Sequence, residues 1–390
     1  MRPNICIGLM SGTSIDALDC VAVEFTDQKM NILGEDSLEW SDEVKAALHS
    51  LCSDNLNEIE TASLMANEVA RTSAALVLRL IDRLHLEKEN ILAIGSHGQT
   101  VRHRPEKGFS VQLDNGPLLA ALTGIDAVVN FRMADIACGG EGAPLTPAFH
   151  KEVFGSTERQ RMILNLGGIS NLTVISRDLT VSAGFDCGPA NTLMDLVCRK
   201  FLHQPYDKDA TVASQGKVNE QWLNKLLSHD YLKKCPPKST GREVFNADLI
   251  HAMIDECTFL KEKIPDLLRT LGEFTVRAVT DSIKNFALTD EAGADLILCG
   301  GGAYNPLLEK RFHEILSPLG IKTFKSSDFG VSETLLEAQA FAFFAYRFVK
   351  GVSSDLSKST GQKTPAILGC LCPAANGHYA RSVNSSFTED

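Results

Sequence analysis

A short run of small and hydroxyl residues near the start of the chain could bind a phosphate chain. The segment GLMSGTSIDALD carries Gly12, Thr13 and Ser14 between two apolar runs, and Asp16 and Asp19 follow. A turn of small residues exposes its backbone N–H groups, and hydroxyls add further donors for phosphate oxygens. A nearby carboxylate can hold Mg²⁺, usually through water. A plain hairpin turn with surface aspartates explains the composition about equally well, and the segment lacks the P-loop signature.

Two further turns of small residues follow apolar runs in the second half of the chain. NLGGISN occupies residues 165–171, and CGGGAYNP occupies residues 299–306 just before a helical pattern. Glycines permit close backbone approach, and glycines before a helix start favour a bound phosphate. Each turn alone is weak evidence for a ligand site, but three such turns at the ends of apolar strands together predict a nucleotide site. The candidates in these two turns are Asn165, Gly167, Gly168, Gly300, Gly301, Gly302 and Asn305.

An aspartate in the segment GFDCGPANTLMDL is the candidate catalytic group. Asp186 precedes Cys187-Gly188-Pro189, a rigid turn that has little need of an acid. A carboxylate held at such a turn, near a phosphate site, suits a general base. The alternative is that Asp186 caps the helix beginning near Asn191. Pro189 and Asn191 already provide the signals for the start of that helix, so a cap from Asp186 is not needed. The pattern therefore favours catalysis.

Other polar side chains stand where a small ligand could use them. Arg132, a planar and permanently charged donor, begins a glycine-rich segment that ends at His150. Glu337 lies four residues before Phe341 and seven before Phe344, so it shares a helix face with an apolar stripe. An acid there is costly unless it is paired or binds something, and both a pocket and a salt bridge satisfy that condition.

The elements that carry these residues indicate an α/β protein with two similar lobes. Strands alternate with helices, and residues 4–25 and 162–176 each read as strand, small-residue turn and strand. This order hints at an internal duplication, with the lobes facing each other across a cleft. We expect an N-terminal lobe over 1–160, a C-terminal lobe over 161–372 and a loosely attached polar tail over 373–390. The sequence does not determine which of the two lobes the last apolar helix, 333–349, belongs to.

The composition of the chain limits the kinds of binding partner that it can have. The chain has 390 residues, 44% of them hydrophobic, and a formal net charge of −11, which argues against nucleic acid and anionic membranes. Its eleven cysteines form no C-x-x-C pair, which favours reduced thiols over a zinc site. No segment has the pattern of a secretory signal or a membrane span. A cytoplasmic location is therefore expected.

Taken together, these segments resemble the anhydro-N-acetylmuramic acid kinase family of the hexokinase/actin-like ATPase superfamily. The matching stretches run in family order up to about Gly369, and they include GLMSGTSIDALD, GSHGQTVRHRP, FRMADIACGGEGAPLTPAFH, NLGGISNLT, FDCGPANTLMD, QPYDKDATVASQGKV, PPKSTGREVFN, CGGGAYNP and EAQAFAFFA. The chain departs from the family pattern in three places, one of which is FDCGPAN, where FDTGPGN is the commoner form. Ala17 stands where glycine is usual, and Asn130 stands where aspartate is usual.

The resemblance implies ribonuclease H-like lobes, ATP bound between them, Mg²⁺ and a homodimer. The implied reaction hydrolyses a 1,6-anhydro ring and phosphorylates O6, with Asp186 as the base. A sugar site would use His97, Arg132, His150 and Glu337, and Asp16 would face the metal. Phosphate binding in the first hairpin would fall to Gly12, Thr13, Ser14, Ile15, Asp16, Ala17, Leu18 and Asp19. The alternatives are a related kinase for another sugar or small acid, and a non-catalytic sugar or nucleotide sensor.

Overall fold

Two compact units make up the chain in the computed structural model. The structure describes residues 4–12, 15–26, 30–53, 56–236, 238–241, 244–288 and 293–386, with residues 383–386 described by their backbone alone. Unit 1 comprises Met1–Phe149 and Leu335–Asp390, and unit 2 comprises His150–Thr334. These bounds differ from the expected divisions at residues 160 and 372. One reason is that the last long helix packs on the first strands of the chain.

The described residues form twelve strands and twelve α-helices. The strands are β1 Ile5–Ser11, β2 Ala17–Phe25, β3 Met30–Glu39, β4 Ile91–Arg104, β5 Phe109–Leu113, β6 Ala127–Val129, β7 Gln160–Leu166, β8 Ile169–Ile175, β9 Val181–Pro189, β10 Ala294–Cys299, β11 Ile321–Lys325 and β12 Cys370–Cys372. The helices are α1 Asp42–Ser50, α2 Glu58–Arg83, α3 Gly116–Thr123, α4 Phe131–Ala137, α5 Thr146–Phe154, α6 Thr192–Val197, α7 Glu220–Leu227, α8 His251–Phe259, α9 Ile264–Ser282, α10 Pro306–Leu316, α11 Leu336–Val349 and α12 His378–Ser386. Across the described ranges, none of these helices has both the length and the apolar composition that a bilayer crossing requires.

Each unit is built on a sheet of the same strand order. Unit 1 has the order β12-β6-β4-β1-β2-β3, with β5 paired to the end of β4, and unit 2 has β11-β10-β7-β8-β9. In both, the first three strands form an antiparallel meander, and a fourth strand (β4 or β10) pairs in parallel with the first. The strand order counted from the first strand of each unit is therefore 3-2-1-4, followed by one more parallel strand. The expected α/β class, with two similar units, is confirmed.

The third strand of each meander was not predicted. Strand β3 has no buried residue and little apolar alternation, so its sequence carries a weak strand signal. Strand β9 contains Gly184, Gly188 and Pro189, which are unfavourable in most strands, and it includes the Cys187-Gly188-Pro189 segment that was expected to form a rigid turn. Asp186 therefore lies on a strand.

Helix α11 lies directly on the backbone of the unit 1 sheet. A Cβ added at Gly8 would come within 1.8 Å of the Ala338 carbonyl oxygen, and one at Gly95 within 2.1 Å of the Phe341 carbonyl oxygen. Only glycine allows a helix and a strand to approach this closely. The contact places α11, and with it Glu337, in unit 1 although 185 residues of unit 2 (150–334) intervene in the sequence.

The C-terminal segment is attached to unit 1, contrary to the expectation of a loose tail. Strand β12 pairs antiparallel with β6. The Asp126 carboxylate then accepts hydrogen bonds from the backbone N–H of Ala374 at 2.8 Å and of Tyr379 at 2.6 Å. A carboxylate at the start of α12 also complements the helix dipole. The attachment was not predictable from the polar composition of the segment, because the hydrogen bonds to Asp126 come from backbone N–H groups.

Candidate active site

The first hairpin of unit 1 has a strained and well-anchored turn. Ile15 is buried and adopts a φ of +58°, a conformation that β-branched residues rarely tolerate. The Ser11 hydroxyl donates to Gln99 Oε1 at 2.6 Å, and the Trp40 indole N–H donates to Ser11 Oγ at 2.9 Å. Gln99 Nε2 donates to the Gly12 carbonyl at 3.2 Å. Strain of this kind often marks a functional turn.

The remaining predicted residues of this hairpin divide into strand and turn positions. Ala17 and Leu18 begin β2, and Ala17 is outside the left-handed region, so the lack of a glycine there costs nothing in backbone strain. Thr13 and Ser14 lie outside the described residues. Gln99 and Trp40, which anchor the turn, were missed, because neither residue type signals a phosphate site by itself.

The two hairpin aspartates have different surroundings. Asp16 is exposed just before β2, whereas Asp19 is partly buried and accepts a hydrogen bond from the Ser37 hydroxyl at 2.7 Å. Burial raises the pKa of Asp19, and the Ser37 hydrogen bond opposes that rise. Within the described parts of the chain, no three His, Cys, Asp or Glu side chains group to hold a metal. A single exposed carboxylate such as Asp16 fits Mg²⁺, which keeps several waters and phosphate ligands.

His97, Arg132 and Glu337 form one cluster in unit 1. Arg132 Nε donates to His97 Nε2 at 2.9 Å, and Arg132 Nη1 donates to the Gly142 carbonyl at 2.8 Å. Burial and the Arg132 charge hold the pKa of His97 well below its usual range. Burial also raises the pKa of Glu337, while the Arg132 charge opposes this. The structure thus brings together three of the four predicted sugar-binding residues.

A buried aspartate shapes the glycine-rich segment beside this cluster. Asp135 accepts the Gly142 N–H at 2.7 Å and the Thr360 hydroxyl at 2.9 Å, and its side chain is fully buried. The Gly142 carbonyl in turn accepts from Arg132. Asn130, just before α4, adopts a φ of +61°, which asparagine tolerates better than most residues. The side chain of Asn130 makes no hydrogen bond that caps α4.

His150, the fourth predicted sugar contact, belongs to unit 2. It lies on α5, and its Nδ1 is 3.2 Å from the Thr173 hydroxyl. Only 3% of the residue is exposed. Burial lowers the pKa of His150 to about 3, so the ring is neutral at physiological pH.

The two glycine turns of unit 2 pack against each other. Gly300 has a φ of +78°, and a Cβ there would lie 2.4 Å from Asn165 Oδ1 and 2.8 Å from the Leu166 backbone. Gly167 and Gly168 accept hydrogen bonds through their carbonyls from the backbone N–H groups at the start of α6. Gly301 differs, because no heavy atom lies within 4 Å of the Cβ position it would have. The predicted turns therefore form one surface in unit 2, with open space at Gly301.

A cavity of about 530 Å³ lies against this surface within unit 2. Its volume is in the range of small-molecule sites. Asn305 lines it, while Asn305 Oδ1 caps α10 by accepting the N–H groups of Leu307 and Leu308. Other lining residues include Asn191, Asp195, Tyr206, Gly301, Gly302 and Tyr304.

Hydrogen bonds from several elements hold Asp186 on β9. Asn171 Nδ2 donates to Asp186 Oδ1 at 2.9 Å, and the Thr240 N–H donates to Oδ2 at 2.9 Å. The Asp186 N–H donates to the Lys238 carbonyl at 3.1 Å, and the Tyr231 hydroxyl donates to the Asp186 carbonyl at 2.9 Å. Asp186 does not cap α6, since Asn191 occupies that N-cap position. The carboxylate is oriented by residues that lie far apart in the sequence.

Comparison with known proteins identifies the family. The family model described as anhydro-N-acetylmuramic acid kinase matches residues 4–374. The chain belongs to this family. Curated anhydro-N-acetylmuramic acid kinases from Shewanella loihica and Pseudomonas syringae pv. syringae are each 40% identical to it, over 96% and 94% of this chain and 100% and 99% of theirs. The one from Nitrosomonas europaea is 39% identical over 94% of this chain and 99% of its own.

The match to the anhydro-N-acetylmuramic acid kinase family confirms the predicted family and the prediction of a kinase. Among solved structures, an activator of 2-hydroxyisocaproyl-CoA dehydratase from Clostridium difficile with bound ADPNP aligns at a TM-score of 0.48. It shares 10% identity over 89% of this chain and 96% of its own. That score does not by itself establish a common fold, so the fold class rests on the two strand orders.

Proposed function

We propose that this kinase uses ATP to convert 1,6-anhydro-N-acetylmuramic acid into N-acetylmuramic acid 6-phosphate and ADP. The family supports the substrate, and one observation supports the chemistry. That observation is Asp186, a carboxylate with each oxygen held by a separate hydrogen-bond donor on a sheet strand. A general base must be held within hydrogen-bond reach of the proton that it removes, and this support provides the required orientation.

The proposed reaction has two connected parts. Asp186 takes a proton from water while the water oxygen forms a bond to the anomeric carbon. The bond from that carbon to O6 breaks, and O6 keeps the electron pair. O6 then attacks the γ-phosphorus of ATP, and ADP leaves. Phosphoryl transfer depends mainly on positioning and on electrostatic stabilisation, so the chain's donors have to orient the phosphates.

The sugar-binding role rests on the unit 1 cluster. The fixed hydrogen bonds of Arg132 to His97 and to Gly142 orient its planar guanidinium, which suits a carboxylate or a pair of hydroxyls. Glu337 adds an acceptor beside that cation. His150 of unit 2 is proposed as a fourth sugar contact, and its neutral ring can donate or accept one hydrogen bond.

The nucleotide role rests on the hairpin of unit 1 and on the glycine surface and cavity of unit 2. The open space at Gly301 allows a ligand to approach the backbone closely. Asp16 would hold hydrated Mg²⁺, which neutralises phosphate charge when it is bound. The same family suggests a cytoplasmic homodimer that acts in peptidoglycan recycling, and sedimentation velocity would test the dimer.

The proposed chemistry can be tested by following the oxygen atom of water into the product. The protein is incubated with ATP, Mg²⁺ and the anhydro sugar in ¹⁸O-labelled water, and the product is analysed by mass spectrometry. We expect one ¹⁸O at the anomeric position and a phosphate on O6. ADP release with an ordinary sugar, but none with the anhydro sugar, would assign the kinase to another substrate. An unlabelled phosphorylated product would exclude water as the group that opens the ring.

A further inference from the structure

A lysine next to the proposed base is buried among three aromatic rings. Lys238 Nζ lies 5.2 Å from the ring centroid of Tyr231, 5.3 Å from that of Phe286 and 5.9 Å from that of Phe185. The residue is only 8% exposed. Isolated charges are rarely buried, but aromatic faces attract a cation within about 6 Å of the ring centroid. We call these three rings the aromatic cage.

The cage joins separate elements of unit 2. Phe185 lies on β9, Tyr231 on the short helical turn Asp230–Lys233, and Phe286 on the turn Ile283–Ala287 that continues α9. The Lys238 ammonium also contacts the Leu232 carbonyl at 3.5 Å. Burial lowers the pKa of Lys238, while Cys187, Cys235 and Asp186 oppose that effect. The side chain thus anchors its loop to three elements at once.

The backbone of the same loop holds Asp186. The Lys238 carbonyl accepts the Asp186 N–H at 3.1 Å, and the N–H of Thr240, two residues later, donates to Asp186 Oδ2 at 2.9 Å. Tyr231 serves both purposes, because its ring forms part of the cage and its hydroxyl donates to the Asp186 carbonyl. A shift of the loop would therefore remove the donor that holds Oδ2 of the carboxylate.

We propose that Lys238 is a positioning residue, which acts through its loop to hold the Asp186 carboxylate in its reactive orientation. This inference rests on the proposed role of Asp186 as the base. Lys238 lies in the motif PPKSTGRE. In this proposal its charged side chain holds the loop and does not contact the substrate.

The decisive variant is Lys238→Met, which keeps the length of the side chain and removes its charge. We expect kcat to fall by about 10- to 100-fold, since small misplacements of catalytic groups have effects of that size. The KM for ATP should stay within about twofold, because Lys238 does not line the nucleotide cavity. The matched control is Lys234→Met. Lys234 is exposed and lies 5.7 Å from the Tyr231 ring, and its replacement should leave kcat unchanged.

A second readout needs no turnover. Amide hydrogen exchange at Thr240 should accelerate at least about tenfold in Lys238→Met but not in Lys234→Met, because the Thr240 N–H loses its fixed acceptor. If the wild-type protein fails to turn over the anhydro sugar, the proposed function falls, and the exchange measurement still decides whether Lys238 holds the loop.

Phe286→Leu provides an independent test if Lys238→Met does not fold. It removes one ring of the cage from a different element, and we expect the same changes in smaller degree. Wild-type kcat together with wild-type exchange at Thr240, in whichever folded variant is measured, would overturn the proposal. A fall in kcat accompanied by an equal rise in the KM for ATP would also overturn it, by showing a general disturbance of unit 2.

Discussion

Arg132 donates a hydrogen bond from Nε to Nε2 of His97 at 2.9 Å, and this contact determines the tautomer of the histidine. Arginine can only donate, so His97 Nε2 accepts and the ring proton is on Nδ1. His97 Nδ1 lies 2.9 Å from the Gly98 carbonyl, to which it donates. The lowered pKa of His97 agrees with this neutral form. The pair forms a preset support for a ligand in unit 1.

Arg132→Lys is expected to raise the KM for the anhydro sugar about tenfold with a smaller effect on kcat. Lysine keeps the charge but lacks the planar fork that reaches both His97 and Gly142. Steady-state kinetics with varied sugar measure the change. Arg104→Lys, at an exposed arginine, is the control and should behave as wild type. An unchanged KM in Arg132→Lys would remove Arg132 from the sugar site.

Asp186→Asn is expected to lower kcat at least about 1000-fold, in line with the loss of a general base. The amide has nearly the shape of the carboxylate and can still accept the Thr240 N–H, so the fold should persist. A coupled assay of ADP release measures the rate. Asp178→Asn is the matched control, because Asp178 is exposed and binds only its neighbour Thr180 among the contacts described. Wild-type activity in Asp186→Asn would contradict its role as the base.

Asp114 is expected to make the protein less stable as the pH rises. Burial raises its pKa to about 6 from 3.8, although Ser96 and Asn115 oppose this rise. Because the folded state prefers the protonated form, the stabilisation is complete below pH 4 and is lost as the pH rises through 6. The total loss is about 2–3 kcal/mol.

Asp114→Asn should remove this pH dependence. Melting temperatures measured from pH 4 to pH 8 should show the variant increasingly more stable than wild type between pH 4 and pH 6, with a constant difference above pH 6. The lowest pH is the internal control, since the wild-type carboxyl is neutral there and the two proteins should nearly coincide. Parallel curves for the two proteins across this range would show that Asp114 ionises freely in the folded state.

Gly8→Ala is expected to destabilise unit 1 by about 3 kcal/mol or more, at the upper end of the cost of overpacking. The added methyl would meet the Ala338 carbonyl at 1.8 Å, so α11 must move away from β1. Chemical unfolding measures the free energy. Gly184→Ala is the control, because no heavy atom lies within 4 Å of the Cβ it would have, and its effect should be below about 1 kcal/mol. Equal stability of the two variants would mean that α11 does not pack closely on β1.

The sequence predicted candidate site residues only where the chemical signal is local. Small residues at the ends of apolar strands pointed to Gly12 and Gly300, and an acid beside the Cys187-Gly188-Pro189 segment pointed to Asp186. The anchoring residues were not predictable in this way. Gln99 and Trp40 hold the hairpin from distant elements, and Thr240 uses only a backbone N–H, which every residue except proline has.

By itself, the sequence determined the α/β class, the two hairpins that begin the units and the family, because apolar periodicity and turn residues are local properties of the chain. Only the tertiary structure decided that α11 packs with the first strands, since the close approach at Gly8 depends on a helix more than 300 residues away. It also decided that Lys238 meets three rings and that its loop holds Asp186. Such contacts join residues that are far apart in the sequence, so the local periodicity of the sequence cannot predict them.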